Sequence, residues 1–204
     1  MAIRVHTGDL PNLENYGREV AIDTETMGLQ TKRDRLCVVQ LSPGDGSADV
    51  VRIPAGLNDA PNLKKLLGDP GVTKIFHYAR FDMAALKYRF GVDVGPVYCT
   101  KIASKLVRTY TDRHGLKDLT RDLLGIDISK QQQSSDWGSD TLTRAQMDYA
   151  ASDVLHLHDL KRHLDLMLLR EGRGELARAC FEFLPTRVAL DLAGWPDTDI
   201  FAHS

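Results

Sequence analysis

Short runs of Val and Ile separated by turn residues fill the first half of the chain: EVAID (19–23), LCVVQLS (36–42) and ADVVRI (48–53), with PGDG at 43–46. Runs this short, rich in β-branched residues and bounded by Pro, Gly and Asp, predict neighbouring strands joined by tight connections. Residues 60–67 predict a helix, TKIFH (73–77) a fourth strand, and residues 80–90 a second helix that Gly91 ends. PVYCT (96–100) predicts a fifth strand. From Lys101 onward the apolar positions recur every three or four residues, as at Ile102 and Leu106 and again at Leu160, Leu164 and Leu168, which is the helical period. The pattern is that of an α/β chain whose sheet comes first and whose second half is helical. The polar stretch ISKQQQSSDWGSD (128–140) joins two helices. After it, Thr143 followed by Gln146 has the form of a capping box, opening a long helix that carries Tyr149 and Asp153.

Composition narrows this picture without changing it. With 204 residues the chain has the size of one ordinary domain, and the expectation is a single unit with its motifs between residues 20 and 160 and a helical extension over 161–204. No window is apolar enough to span a bilayer, and residues 1–20 lack the long apolar segment of a secretory signal, so the expectation is a cytoplasmic protein with no membrane partner. Cys37, Cys99 and Cys180 lie far apart with no CxxC pair, which indicates small buried side chains rather than disulfides or a thiolate zinc site. A net charge of −2 argues against gripping a long duplex by its phosphates, which needs an extensive basic surface. Between Lys101 and Arg121 the balance is different: Lys101, Lys105, Arg108, Arg113, Lys117 and Arg121 face only Asp112 and Asp118. A solvated helix face and a phosphate contact account for that stretch equally well.

Three groups of residues carry candidate chemistry. Asp23 and Glu25 close the first core strand, and residues two apart on a strand project from one face. A D-x-E tripeptide is common by chance, but at the end of a buried strand its charge needs compensation, and a cation supplies it. Asp82 sits in the first turn of the helix after TKIFH, where an acid equally serves the helix dipole. Tyr149 and Asp153 are four apart on one helix and share a face; taken alone, such a pair is more often structural. His156, His158 and His163 raise the alternative of a zinc hydrolase, but His156 and His158, two apart on a helix, point to different sides.

In order and spacing, D-x-E, then H-x4-D, then Y-x3-D resembles the three exonuclease motifs of the DEDD superfamily in its tyrosine-bearing branch. VAIDTETMGL, IFHYARFDMAAL, GLKDLTRDLLGIDISK and SSDWGSDTLTRAQMDYAASDVLHLHDL look like successive blocks of the ribonuclease D family. The resemblance covers roughly Val20 to Leu160, and the C-terminal stretch is similar to that of the family's small oligoribonucleases. It implies an RNase H-like fold, a mixed five-stranded sheet flanked by helices. It implies a 3′-5′ exonuclease in which Asp23, Glu25, Asp82 and Asp153 hold two Mg²⁺ or Mn²⁺ ions and Tyr149 positions the attacking water. Hard divalent ions prefer carboxylate oxygens, and a pair of them about 3.5 to 4 Å apart can stabilise both the attacking and the leaving oxygen of an in-line phosphoryl displacement.

The resemblance also implies a substrate. Only about forty residues follow the third motif's helix, too few for the additional helical domain of the longer enzymes. Together with the mildly acidic charge this favours very short single-stranded RNA, dinucleotides included, and possible short DNA. General 3′-5′ exonucleolysis of longer single strands and a non-catalytic nucleic-acid-binding module are the alternatives. Leu29 matches the leucine that wedges between terminal bases in short-RNA exonucleases, or packs in a turn. His77 stacks on a base or caps the following helix, and Thr26 offers a hydroxyl or backbone contact to the terminal sugar. A ring-shaped homo-oligomer, an octamer, is the assembly the family suggests.

Overall fold

A computed structural model describes residues 2–203. The chain opens with β1 (Ala2–Thr7), followed by β2 (Glu19–Thr26), β3 (Leu36–Ser42) and β4 (Ser47–Arg52). Helix α1 (Pro61–Gly68), β5 (Thr73–Phe76), α2 (Ala79–Phe90) and β6 (Val97–Cys99) come next. The rest is helical: α3 (Thr100–Val107), α4 (Leu116–Leu119) running into a π-helical turn at Thr120–Leu124, α5 (Arg144–Leu155), α6 (Leu157–Arg170) and α7 (Gly174–Ala193). The fold is α/β, and the sheet is mixed. In the order β1-β4-β3-β2-β5-β6, β3 pairs antiparallel with β2 and β4, while β1, β5 and β6 join in parallel.

The expected five-stranded sheet has six strands. The extra one, β1, is an edge strand with no buried residue, so AIRVHT carries no strong apolar signal. Polar contacts add to its pairing with β4 and to the packing of Ile3. Arg4 donates twice to Asp49 of β4 at 2.8 Å, His6 Nε2 lies 2.8 Å from the same carboxylate, and the Tyr16 hydroxyl donates to it at 2.7 Å. Charge-assisted bonds of this kind hold Asp49 down at about 2 against the cost of its burial.

Alternation along β2 decides what faces what. Val20 and Ile22 enter the core that includes α1, α2 and the buried Leu184 and Val188 of α7. Ala21 enters the opposite core, with α3, α5 and α6. Continuing that parity, Thr24 belongs to the α2 face, and Asp23 and Glu25 to the α5 face. Strand β2 pairs with β5 only over Glu19–Ala21. Beyond Ala21 the two strands part, and a bulge at Glu25/Thr26 bends β2 further. The opening lies at the carboxyl ends of parallel strands, where ligands of open α/β sheets bind.

Two other expectations change. The long helix after Thr143 breaks at His156, so α5 and α6 are separate elements. His158 is buried with its ring against Gly44. Cys37 and Cys99 are buried as expected, while Cys180 is half-buried; all three are free thiols. No described helix is long and apolar enough to cross a membrane.

Candidate active site

The parting of β2 from β5 opens a cleft of about 700 Å³ whose lining includes Asp23, Glu25, Asp82, Tyr149 and Asp153. Three of the acids converge: Asp23, Glu25 and Asp153 each offer a carboxylate oxygen within 4.8 Å of the others. Two come from one face of β2, and the third comes from α5, which packs across that face. The fourth arrives from the other side. Asp82 sits in the first turn of α2, is 2% exposed, and accepts a 2.7 Å hydrogen bond at Oδ1 from the Thr24 hydroxyl. Thr24, between Asp23 and Glu25 and pointing to the α2 face, thus ties Asp82 to the strand carrying the pair. The Gln40 amide of β3 steadies Asp23 from beside it, donating to Oδ2 at 2.9 Å.

This grouping is electrostatically unfavourable as it stands. Burial first, then repulsion from Asp82, Asp153 and Glu25, drives Asp23 well above the usual carboxylate range. Burial and the same neighbours push Glu25 up to about 9. Burial raises Asp82 and Asp153 to about 7 each, against the Thr24 hydrogen bond in one case and the Tyr149 hydroxyl and Lys130 in the other. Among the described residues no Lys, Arg or His forms an ion pair with any of the four. Clustered oxygen donors that no protein cation pairs with fit a hard divalent metal such as Mg²⁺ or Mn²⁺ and do not fit zinc, which favours His and Cys. The histidines of the zinc alternative do not assemble: His163 is on the surface, its Nδ1 3.0 Å from the Asp159 carbonyl, and His158 is buried elsewhere.

Tyr149 stands one helical turn before Asp153 on α5, whose start is fixed by the capping box: Thr143 Oγ1 accepts from Gln146 N–H at 3.2 Å and Thr143 N–H donates to Gln146 Oε1 at 2.9 Å. The acids around it and burial, burial first, raise its phenol and keep it protonated. Its ring lies 5.9 Å, centroid to centroid, from that of Trp137.

The remaining sequence candidates line the same cleft. His77 directly follows β5, with Nδ1 2.9 Å from Thr100 Oγ1. Burial, with Lys101 nearby, pushes it down to about 3, so the ring is neutral. Leu29 is 84% exposed, so it does not pack in a turn. The Thr26 hydroxyl donates to the Gly28 carbonyl, closing the turn after β2.

Several cleft residues escaped the sequence reading. Tyr78 caps α2 in the left-handed region at φ 74°, a conformation costly for a non-glycine residue. Its ring packs under Lys101 Nζ at 4.4 Å. The polar loop after Ile128 brings Lys130, Gln133, Ser134 and Trp137 to the opposite wall. A tryptophan in an otherwise polar loop was the available signal. The basic stretch divides: Lys101 and Lys117 line the cleft, whereas Arg108 is buried on Asp122 at 2.6 Å and Arg121 pairs with Asp118 and Asp122 on the surface.

A family described as 3′-5′ exonuclease matches residues 10–169. Ribonuclease D of Granulibacter bethesdensis is 40% identical over 154 residues, covering 76% of this chain and 38% of that protein. The chain thus spans about two fifths of the length of the curated relatives it matches. Among solved structures, Brucella melitensis NrnC with bound Mg²⁺ is 61% identical, with a TM-score of 0.97 and all of both chains covered. The same protein bound to pGG is 62% identical, also with a TM-score of 0.97 over all of both chains.

Proposed function

Because the chain belongs to the 3′-5′ exonuclease family, in its ribonuclease D branch, we propose that it degrades very short cytoplasmic RNA, dinucleotides included, from the 3′ end to nucleoside 5′-monophosphates. The observation that carries the reading is the convergence of Asp23, Glu25 and Asp153 within 4.8 Å, beside Asp82, at the floor of a cleft whose lysines form no ion pair with them among the described residues. These four acids would hold two divalent cations, Mg²⁺ or Mn²⁺, which when bound supply Lewis-acid activation of water and neutralise charge on the leaving oxygen.

The chain's own groups do the positioning. The Tyr149 hydroxyl, kept protonated and facing the Asp153 carboxylate, holds the attacking water in line with the terminal phosphodiester. Water adds to phosphorus, the bond from phosphorus to the 3′ oxygen of the penultimate nucleotide breaks, and the last nucleotide leaves with its phosphate on the 5′ side. Leu29, exposed at the cleft rim, packs against the bases, the neutral His77 ring stacks on one of them, and Thr26 meets the terminal sugar.

A short substrate is supported by the cleft's walls, α2 with Tyr78 on one side and the loop carrying Lys130 on the other, and by the pGG complex of a full-length relative. The whole chain acts as one exonuclease domain and assembles into a closed homo-oligomer, as exposed Leu166, Leu169, Trp195 and Phe201 suggest. Light scattering on the purified protein tests the assembly, and a monomer removes it. Turnover of end-labelled RNAs of graded length tests the substrate. A higher kcat/KM for dinucleotides than for heptanucleotides is expected, and the reverse order makes the protein a general single-strand exonuclease.

A further inference from the structure

Gln146 does more than cap its helix. Its Oε1 closes the capping box on Thr143, while its Nε2 points the other way and donates to Ser135 Oγ at 2.8 Å and to the Asp136 carbonyl at 3.0 Å. Those acceptors immediately precede Trp137, which is 2% exposed and packs with Tyr149, Ala150, Cys37 and Val38. Arg35 fixes the next residue, donating to the Gly138 carbonyl at 3.0 Å. One amide therefore joins the N-terminus of the helix that carries Tyr149 and Asp153 to the loop that lays Trp137 against the Tyr149 ring. The indole N–H of Trp137 has no acceptor among the described residues, so the ring is held by packing and by its neighbours' backbone rather than by a bond of its own.

We infer that Gln146 is a positioning residue for the exonuclease reaction: by latching the Ser135–Trp137 segment to the start of α5 it fixes the Trp137 ring, which in turn fixes where the Tyr149 hydroxyl stands. This rests on the exonuclease reading above. The latch acts through the Tyr149 hydroxyl, and although the same loop forms a wall of the cleft, its release lowers kcat more than it raises KM.

The Gln146→Glu variant separates the two jobs. Glutamate keeps the oxygen acceptors of the capping box, where it is a preferred residue, and loses both N–H donors to the loop. In a Trp195→Phe background, where Trp137 is the sole tryptophan, acrylamide quenching reports the burial of that ring directly. The expected result is a lowered unfolding midpoint, because a carboxylate oxygen then meets the Asp136 carbonyl at a site only 4% exposed, with increased quenching and, well below both midpoints, a kcat on dinucleotide reduced by about tenfold with KM within about twofold. Trp137→Leu should reproduce the loss of kcat, and Trp137→Phe, which keeps a ring against Tyr149, should restore most of it. Unchanged kcat, or a lowered kcat with unchanged quenching, overturns the inference. If the parent protein cleaves no RNA with Mg²⁺ or Mn²⁺, yet Gln146→Glu still exposes Trp137, the exonuclease reading fails and the latch itself stands.

Discussion

Thr24 and Asp82, fifty-eight residues apart, meet through a single buried hydrogen bond of 2.7 Å between the hydroxyl and Oδ1. It joins the two sides of the cleft floor, the strand with the D-x-E pair and the helix with Asp82. Thr24→Val keeps the shape and removes the hydroxyl donor, leaving a buried carboxylate with backbone donors alone. The bond lowers Asp82 against its burial, so its loss raises that group further. A weaker apparent affinity for Mg²⁺ and a shift of the acid limb of activity to higher pH are expected. A metal titration of activity at several pH values checks both; an unchanged profile would mean that Asp82 is held by other means.

The metal-free protein should lose stability as pH rises. Glu25 at about 9 and Asp82 and Asp153 at about 7 lie above the unfolded carboxylate range of about 4. Groups raised in the fold favour their protonated form there. Their stabilisation is complete below the unfolded value and disappears as pH passes through the folded ones. The unfolding midpoint in EDTA should fall between about pH 5 and 9, and added Mg²⁺ should restore it most at the alkaline end. Asp153→Asn in EDTA should flatten the fall while abolishing activity. Thermal melts across pH measure all three.

Tyr149→Phe removes the hydroxyl and leaves the ring against Trp137. A kcat lower by about a hundredfold, in the range of one positioned proton-handling group, is expected with little change in unfolding midpoint. A kcat near wild type would take Tyr149 out of the reaction.

Leu29 is almost fully exposed, so Leu29→Ala should not affect stability. If it packs against bases, its truncation forfeits the burial of an aliphatic side chain, about 1.5–3 kcal/mol, or roughly ten- to hundredfold in kcat/KM on dinucleotides. Unaltered kinetics would leave Leu29 without a role at the rim.

The parts of this site that were legible in the sequence are those set by local rules. Asp23 and Glu25 share a face because strand side chains alternate, Tyr149 and Asp153 because helical residues four apart do, and the Thr143–Gln146 box forms as its residues predict. What stayed hidden depends on contacts across the fold. Strand β1 has no fully buried residue and adds the contacts of Arg4, His6 and Tyr16 on Asp49 to its pairing with β4 and the packing of Ile3, so the hydrophobic pattern did not reveal it. The break at His156 lies inside a continuous helical period. Trp137 and Lys130 line the cleft from a loop whose end at 135–138 is tied across the fold by Gln146 and Arg35, and the left-handed turn at Tyr78 has no glycine to signal it.

Conversion of a 5′-labelled RNA dinucleotide to mononucleotides, followed over time with Mg²⁺ or Mn²⁺ and with EDTA, for wild type beside Asp153→Ala, tests the proposed chemistry most directly. Rapid conversion by the wild type that both chelation and the substitution stop is the expected result. No metal-dependent cleavage of the dinucleotide, or equal cleavage by Asp153→Ala, would contradict the assignment of these four acids to a metal-dependent oligoribonuclease site.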